Sequence, residues 1–208
     1  MIEKEKARHV MTQAELQEVE ASPRGLTVRN FKKHLTTITQ HKLLVGRFCF
    51  QMGLYRQGIL HDLSKYAPTE FLNGVYYYLG FKSPIVSERL YKGRSDAWLH
   101  HKGRNKHHFE YWVDFTRDST LPGGLTPLKM PRRYVAEMIA DRVAASMVYH
   151  GAQYKSSDSL EFYNIGKDRI PLHPQTRKEL EYFLKMIAVK GEDYTFRYIK
   201  ERYLRLRR

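Results

Sequence analysis

The sequence predicts an all-α protein, and three observations carry that expectation. Apolar residues recur at helical spacing through several long segments, as in Phe31, Leu35, Ile38, Val45 and Phe48. Proline, glycine and small polar residues punctuate those segments at positions that start or stop helices. No segment keeps the apolar–polar alternation of a half-buried strand.

In chain order, residues 4–20 read as a polar helix closed by Ser22-Pro23-Arg24-Gly25. Leu26 to Met52 forms a long helix, with Gly53 suited to its C-terminal stop. Tyr55–Tyr66 is a second helix, ended by Pro68, and residues 70–79 a third. Ser83-Pro84 opens another towards Tyr91, the proline fitting a first turn. Ser95 or Asp96 caps a short helix through His101. After the break Gly103-Arg104-Asn105, a helix is expected from Lys106 to Thr116. Asp118–Met130, with Pro122, Gly123, Gly124 and Pro127, is the clearest loop and a candidate lid. Pro131 opens a strong helix to Tyr149, residues 156–171 read as irregular, and Pro174–Val189 and Glu192–Leu206 make a terminal helical pair. These divide into a polar N-terminal helix (1–25), a helical domain (26–155) and a C-terminal extension packed on it (156–208).

Composition narrows the function classes. The hydrophobic share of 42% and the 15 Tyr and 10 Phe argue against a disordered chain. The single cysteine, Cys49, lies in an apolar run, so a buried thiol is expected rather than a disulfide, in keeping with a reducing compartment. No apolar run approaches the ~18 residues of a membrane span, and residues 1–20 lack the apolar core of a signal peptide. The expected location is therefore the cytoplasm, with no membrane partner. Net charge is +14, a field that attracts anionic partners such as phosphates, nucleotides or nucleic acid.

The chemistry lies in histidine and carboxylate. Four of the ten histidines, His100, His101, His107 and His108, fall within nine residues. Imidazole suits Zn, Fe, Mn or Ni. The pair His61-Asp62 follows Ile59-Leu60 and, on a helix, would point its side chains about 100° apart while still reaching one metal. Lys65 trails it. Glu137 and Asp141 share one face of the helix that begins at Pro131, near Ala140, Ala144 and Ala145. A buried carboxylate there needs a partner: a metal, a metal-bound histidine, or a salt bridge to Arg132, Arg133 or Arg142. His41 is favoured as a ligand, with His34, one heptad earlier, in a supporting or structural role.

The ordered set His41, His61-Asp62 with Lys65, the histidine cluster, then Asp141 resembles the HD superfamily of metal-dependent phosphohydrolases. The run Ile59-Leu60-His61-Asp62-Leu63-Ser64-Lys65 looks like the core helix of that superfamily. Closer still, residues 58–71 and 97–112 look like an uncharacterised bacterial and phage family, over about residues 26–200. The HD resemblance implies an HD-like helical bundle. It makes His41, His61, Asp62 and Asp141 ligands of a first metal, with two of His100, His101, His107 and His108 holding a second that Asp62 bridges. It implies one or two divalent ions of Mn, Fe, Zn, Ni or Co. Asp62 and Lys65 become the catalytic residues, and Lys65, Arg104 and Lys106 the phosphate-binding ones, with Glu137 and His34 behind the ligands. The expected partner is a small phosphorylated molecule such as a nucleotide. The Gly-Tyr-Pro signature of the cyclic-dinucleotide enzymes in that superfamily is absent. Two alternatives stand beside phosphohydrolysis. One is oxygen activation at a di-iron centre of the same ligand types. The other is nucleic-acid binding without catalysis by the basic tail Lys200–Arg208, with Tyr194, Phe196, Tyr198 and Tyr203 beside it. Tyr76-Tyr77-Tyr78 and Tyr111-Trp112 read either as pocket walls or as core. The oligomeric state is left open.

Overall fold

A computed structural model describes residues 24–116 and 124–205, together with Gln17, Ala21 and Ser22. The expected N-terminal helix over residues 4–20 lies outside the described residues but for Gln17, as do the first half of the expected loop and the last three residues of the basic tail. Among the described residues the protein is all-α apart from one two-stranded ribbon. The helices are α1 (Val28–Gln51), α2 (Tyr55–Leu60), α3 (Pro68–Tyr76), α4 (Pro84–Lys92), α5 (Asp96–Lys102), α6 (Arg132–His150), α7 (Asp158–Gly166), α8 (Pro174–Lys190) and α9 (Glu192–Tyr198), the last continued by a π turn over Ile199–Tyr203. No helix among the described residues is long and apolar enough to cross a membrane.

The chain forms two compact units that interleave in sequence: residues 1–40 with 62–104, and residues 41–61 with 105–208. Helix α1 contributes its first half to one and its second half to the other. In the first unit α3 packs on α4 and α5, over a small core of Ile38, Phe71 and Val75. His34 lies in this unit against Phe71 and Tyr78, with ring centroids 5.3 and 6.0 Å away. It sits directly over Gly74, where an added Cβ would come within 2.2 Å of His34 Nε2. Glycine at 74 is what lets the imidazole lie on the α3 backbone.

The second unit holds the main core. Val45, Phe48 and Cys49 of α1, with Met52 just after it, meet Val135, Met138, Ile139, Val143 and the alanines of α6, together with Leu180, Phe183, Leu184 and Ile187 of α8. The rings of Phe48 and Phe196 stack 4.8 Å apart. Each such side chain contributes about 1.5–3 kcal/mol through burial. The alanines 136, 140 and 144 are fully buried, so the small-residue face of α6 is a packing face.

Three expected elements differ. The helix expected over Lys106–Thr116 is a 3-10 turn (Phe109–Trp112) running into a strand, Val113–Phe115, paired antiparallel with Leu125–Pro127. Aromatic and β-branched residues in that stretch favour extended backbone once the helix is broken. The irregular stretch 156–171 contains α7, whose start is fixed where Asp158 Oδ2 accepts from Lys155 N–H and from His150 Nδ1. The helix expected over Tyr55–Tyr66 breaks in its middle, and that break shapes the candidate site.

Candidate metal centre

Helix α2 stops at Leu60, His61 turns extended (φ −50°, ψ 127°), and Asp62 adopts the left-handed conformation (φ 52°, ψ 24°) before a 3-10 turn over Leu63–Tyr66. Among the described residues Asp62 is the only non-glycine with positive φ. Aspartate tolerates that region better than most residues, and such backbone is enriched at functional positions. His61 and Asp62 therefore do not sit a helical step apart, as the sequence suggests. Lys42 Nζ, from α1, donates to the carbonyls of Ile59 and His61 at 2.7 and 2.8 Å. It satisfies helix-end carbonyls that have no partner within α2 and fixes where His61 begins.

In the second unit His61 is at the centre of a buried cluster. His41 from α1, His61 after α2, and Asp141 from α6 bring donor atoms together. His41 Nε2 is 2.9 Å from Asp141 Oδ1, His61 Nε2 is 3.7 Å from the same oxygen, and the two Nε2 atoms are 3.4 Å apart. Behind them, Glu137 Oε1 accepts from Nδ1 of both His61 and His107, each at 3.1 Å. The His61 and His107 rings lie 4.4 Å apart, and His108 lies 4.1 Å beyond His107. Glu137 and Asp141 thus pair with histidine rather than with arginine. Arg132 instead donates to the Tyr203 carbonyl, and Arg133 stacks over Tyr134. Burial opposes ionisation of both carboxyls. The hydrogen bonds from His107 and His61 nevertheless hold Glu137 below the usual carboxylate range, and those from His41 and His61 hold Asp141 well below it. Burial, followed by the charges of Glu137 and Asp141, pushes the Cys49 thiol far up, so it stays protonated and inert.

The first unit holds a second cluster. Asp62 is 1% exposed. Its Oδ2 pairs with Lys65 Nζ at 2.6 Å and its Oδ1 stands 3.2 Å from His101 Nε2. His101 is delivered by α5, whose N-cap Ser95 accepts from Trp98 N–H. Glu70, in the first turn of α3, accepts from His101 Nδ1 at 2.7 Å and from His100 Nδ1 at 2.5 Å. Burial disfavours the charged form of His101. The charge of Asp62 and the hydrogen bonds to Asp62 and Glu70 outweigh it, against opposition from Lys65, so its pKa is raised. The remaining expected residues lie as follows. Arg104 is exposed and donates to the His100 carbonyl. Lys106 lies over the Tyr111 ring. His34 keeps to its place over Gly74, inside its own unit. Of the aromatics, Tyr77 is buried, and Trp112 donates to the Lys106 carbonyl while its ring packs near Tyr134. Beside the basic tail, Phe196 and Tyr203 are buried core.

The donor set fits a transition metal. Imidazole nitrogen and carboxylate oxygen bind such ions at about 2.1 Å, so two donors on one ion stand roughly 3.0–3.4 Å apart for octahedral to tetrahedral angles. The distances of 2.9, 3.4 and 3.7 Å among His41, His61 and Asp141 lie near that range. A carboxylate behind Nδ1, with Nε2 turned to the ligand cluster, is the usual support of a metal-binding histidine. Buried His and Asp groups here are close enough to hold a metal ion. Sequence reasoning singled out His41, His61, Asp62, His101, His107, Glu137 and Asp141. It missed Glu70, which reads in the sequence as an ordinary acidic residue in a helix first turn.

Fold and cluster together define an all-α protein with a buried, carboxylate-backed histidine centre. Residues 30–186 match DUF5662, a family of unknown function, and the chain belongs to that family. No curated protein and no solved structure matches the chain.

Proposed function

We propose that the protein is a metal-dependent phosphohydrolase acting on a nucleotide or another small phosphorylated substrate, in keeping with the HD-like ligand order of its sequence. His41, His61 and Asp141 would hold one ion, and Asp62 with His101 a second. Bound divalent metal supplies a water of lowered pKa and neutralises phosphoryl charge. The side chains supply the rest. Lys65, a quarter exposed and anchored on Asp62, presents a fixed ammonium to a phosphoryl oxygen, where charge develops in the transition state. Arg104 lies on the exposed surface close in sequence to His100 and His101 and adds positive charge for an anionic substrate, as does the +14 net charge of the chain. Glu137 accepts at Nδ1 of His61 and His107, which would leave their Nε2 atoms to face a bound cation.

The observation that carries this reading is the convergence of His41, His61 and Asp141 in front of Glu137. A screen of nucleotides, cyclic nucleotides and phosphomonoesters with added Mn, Co, Ni, Zn or Fe tests it. Metal-dependent phosphate release, abolished by chelator and lowered at least 100-fold by Lys65→Ala, is expected. Inactivity on every substrate class with every metal would overturn the reading. Two tightly bound irons with an oxygen-sensitive spectrum would replace it with oxygen chemistry at the same ligands.

A further inference from the structure

Glu70 has no place in the ligand order read from the sequence. It is nonetheless 6% exposed and spends both carboxylate oxygens on imidazoles: Oε2 on His101 Nδ1 at 2.7 Å and Oε1 on His100 Nδ1 at 2.5 Å. Ser64 Oγ lies 3.1 Å from the same His101 nitrogen. A carboxylate that accepts at Nδ1 decides which ring nitrogen carries the proton. With the Nδ1 proton committed to Glu70, Nε2 of the neutral ring would offer its lone pair to a cation shared with Asp62 Oδ1, which stands 3.2 Å from that nitrogen. The arrangement repeats that of Glu137, which also uses one carboxylate to hold the Nδ1 atoms of two histidines. A buried carboxylate is costly unless such bonds compensate it. Packing alone does not call for a glutamate at this point of α3.

We infer that Glu70 is the positioning residue of a second cation site formed by Asp62 and His101, acting by fixing the His101 ring and its proton. The inference rests on the metal reading above and assigns a role to a residue outside it. His100, with its side chain a fifth exposed, is the second arm of the clamp and not a ligand.

Equilibrium dialysis of the full chain with Mn(II) tests it, with wild type, Glu70→Gln and His100→Gln compared. Glutamine keeps the volume of glutamate but offers one oxygen and one NH2, so it cannot accept from both Nδ1–H groups. Wild type is expected to bind two Mn(II) per chain. Glu70→Gln should keep one ion at wild-type affinity and bind the other 10–100-fold more weakly, the usual effect of losing such a partner. His100→Gln should keep both within a few-fold. Far-UV circular dichroism and the thermal midpoint confirm that each variant is folded. Two ions bound at wild-type affinity in Glu70→Gln would overturn the role of Glu70 while leaving the metal reading intact. So would one ion in wild type unchanged by the substitution, or an equal loss in His100→Gln. No Mn(II) bound by wild type, with none of the other divalent metals bound in its place, would overturn both.

Discussion

Glu137→Ala is expected to destabilise the protein by about 2–6 kcal/mol and to weaken metal binding about 10–100-fold. The stability figure follows from removing the acceptor shared by two buried imidazole N–H groups, at roughly 1–3 kcal/mol for each buried donor deprived of its partner. His61 and Glu137 are buried to 1% and 5% exposure, and both contacts are 3.1 Å, so solvent replaces little of the loss. The affinity figure follows because His61 Nδ1 is then free to lose its proton to Nε2, which turns a donor N–H towards the cation. Glu137→Gln keeps the volume and one oxygen that can accept from both N–H groups but loses the negative charge, and should fall between wild type and alanine in both measurements. Urea unfolding with and without Mn(II) reads the two effects separately. A variant with wild-type midpoint and wild-type metal affinity would show that Glu137 does not organise the centre.

Acidification is expected to remove about 3 kcal/mol of stability through His34 alone. Burial, followed by the positive charge of Lys65, lowers its pKa from 6.5 to about 4. The folded state therefore binds its proton less readily than the unfolded chain. The neutral-form stabilisation is complete above pH 6.5 and is lost as pH falls from 6.5 to about 4, at about 1.4 kcal/mol per unit of difference. Phe71 and Tyr78 flank the ring and Gly74 lies beneath it, surroundings that disfavour the imidazolium. Buried carboxylates whose pKa values are depressed, Glu70, Glu137 and Asp141, add acid sensitivity of the same sign. The His34 share is isolated by comparing wild type with His34→Leu at pH 7 and pH 4. The variant should show the smaller drop by about 3 kcal/mol. Equal drops in the two proteins would contradict the placement of His34.

Much of the scaffold was legible because it rests on local rules. The stop at Gly53, the proline starts at Pro84 and Pro174, and the cap at Ser95 are each set by one or two residues, and the long apolar faces of α1 and α6 by spacing. The His61-Asp62 break was not legible. Its flanking residues Tyr55–Leu60 and Leu63–Tyr66 all tolerate a helix. The left-handed turn at Asp62 is stabilised by contacts distant in sequence, such as Lys42 to the His61 carbonyl and His101 to Asp62. The candidate ligands could be picked out by residue type and order. Glu137 could be picked out too, because it shares a helix face with Asp141 beside small apolar residues, whereas Glu70 could not be told apart from a surface acid and is recognised by what it touches. Tertiary pairing likewise decided the ribbon of Val113–Phe115 with Leu125–Pro127, where the sequence alone supports a helix for the first strand and a loop for the second.

Under the proposed function the chain would hold metal through His41, His61 and Asp141, with Asp62 and His101 at a second position. Elemental analysis of protein purified without chelators, wild type beside His61→Ala and Asp62→Ala, tests it most directly. The expected result is stoichiometric Mn, Fe, Zn, Ni or Co in wild type and a reduced content in each variant, all three remaining folded. Metal absent from wild type, or present equally in all three, would contradict it.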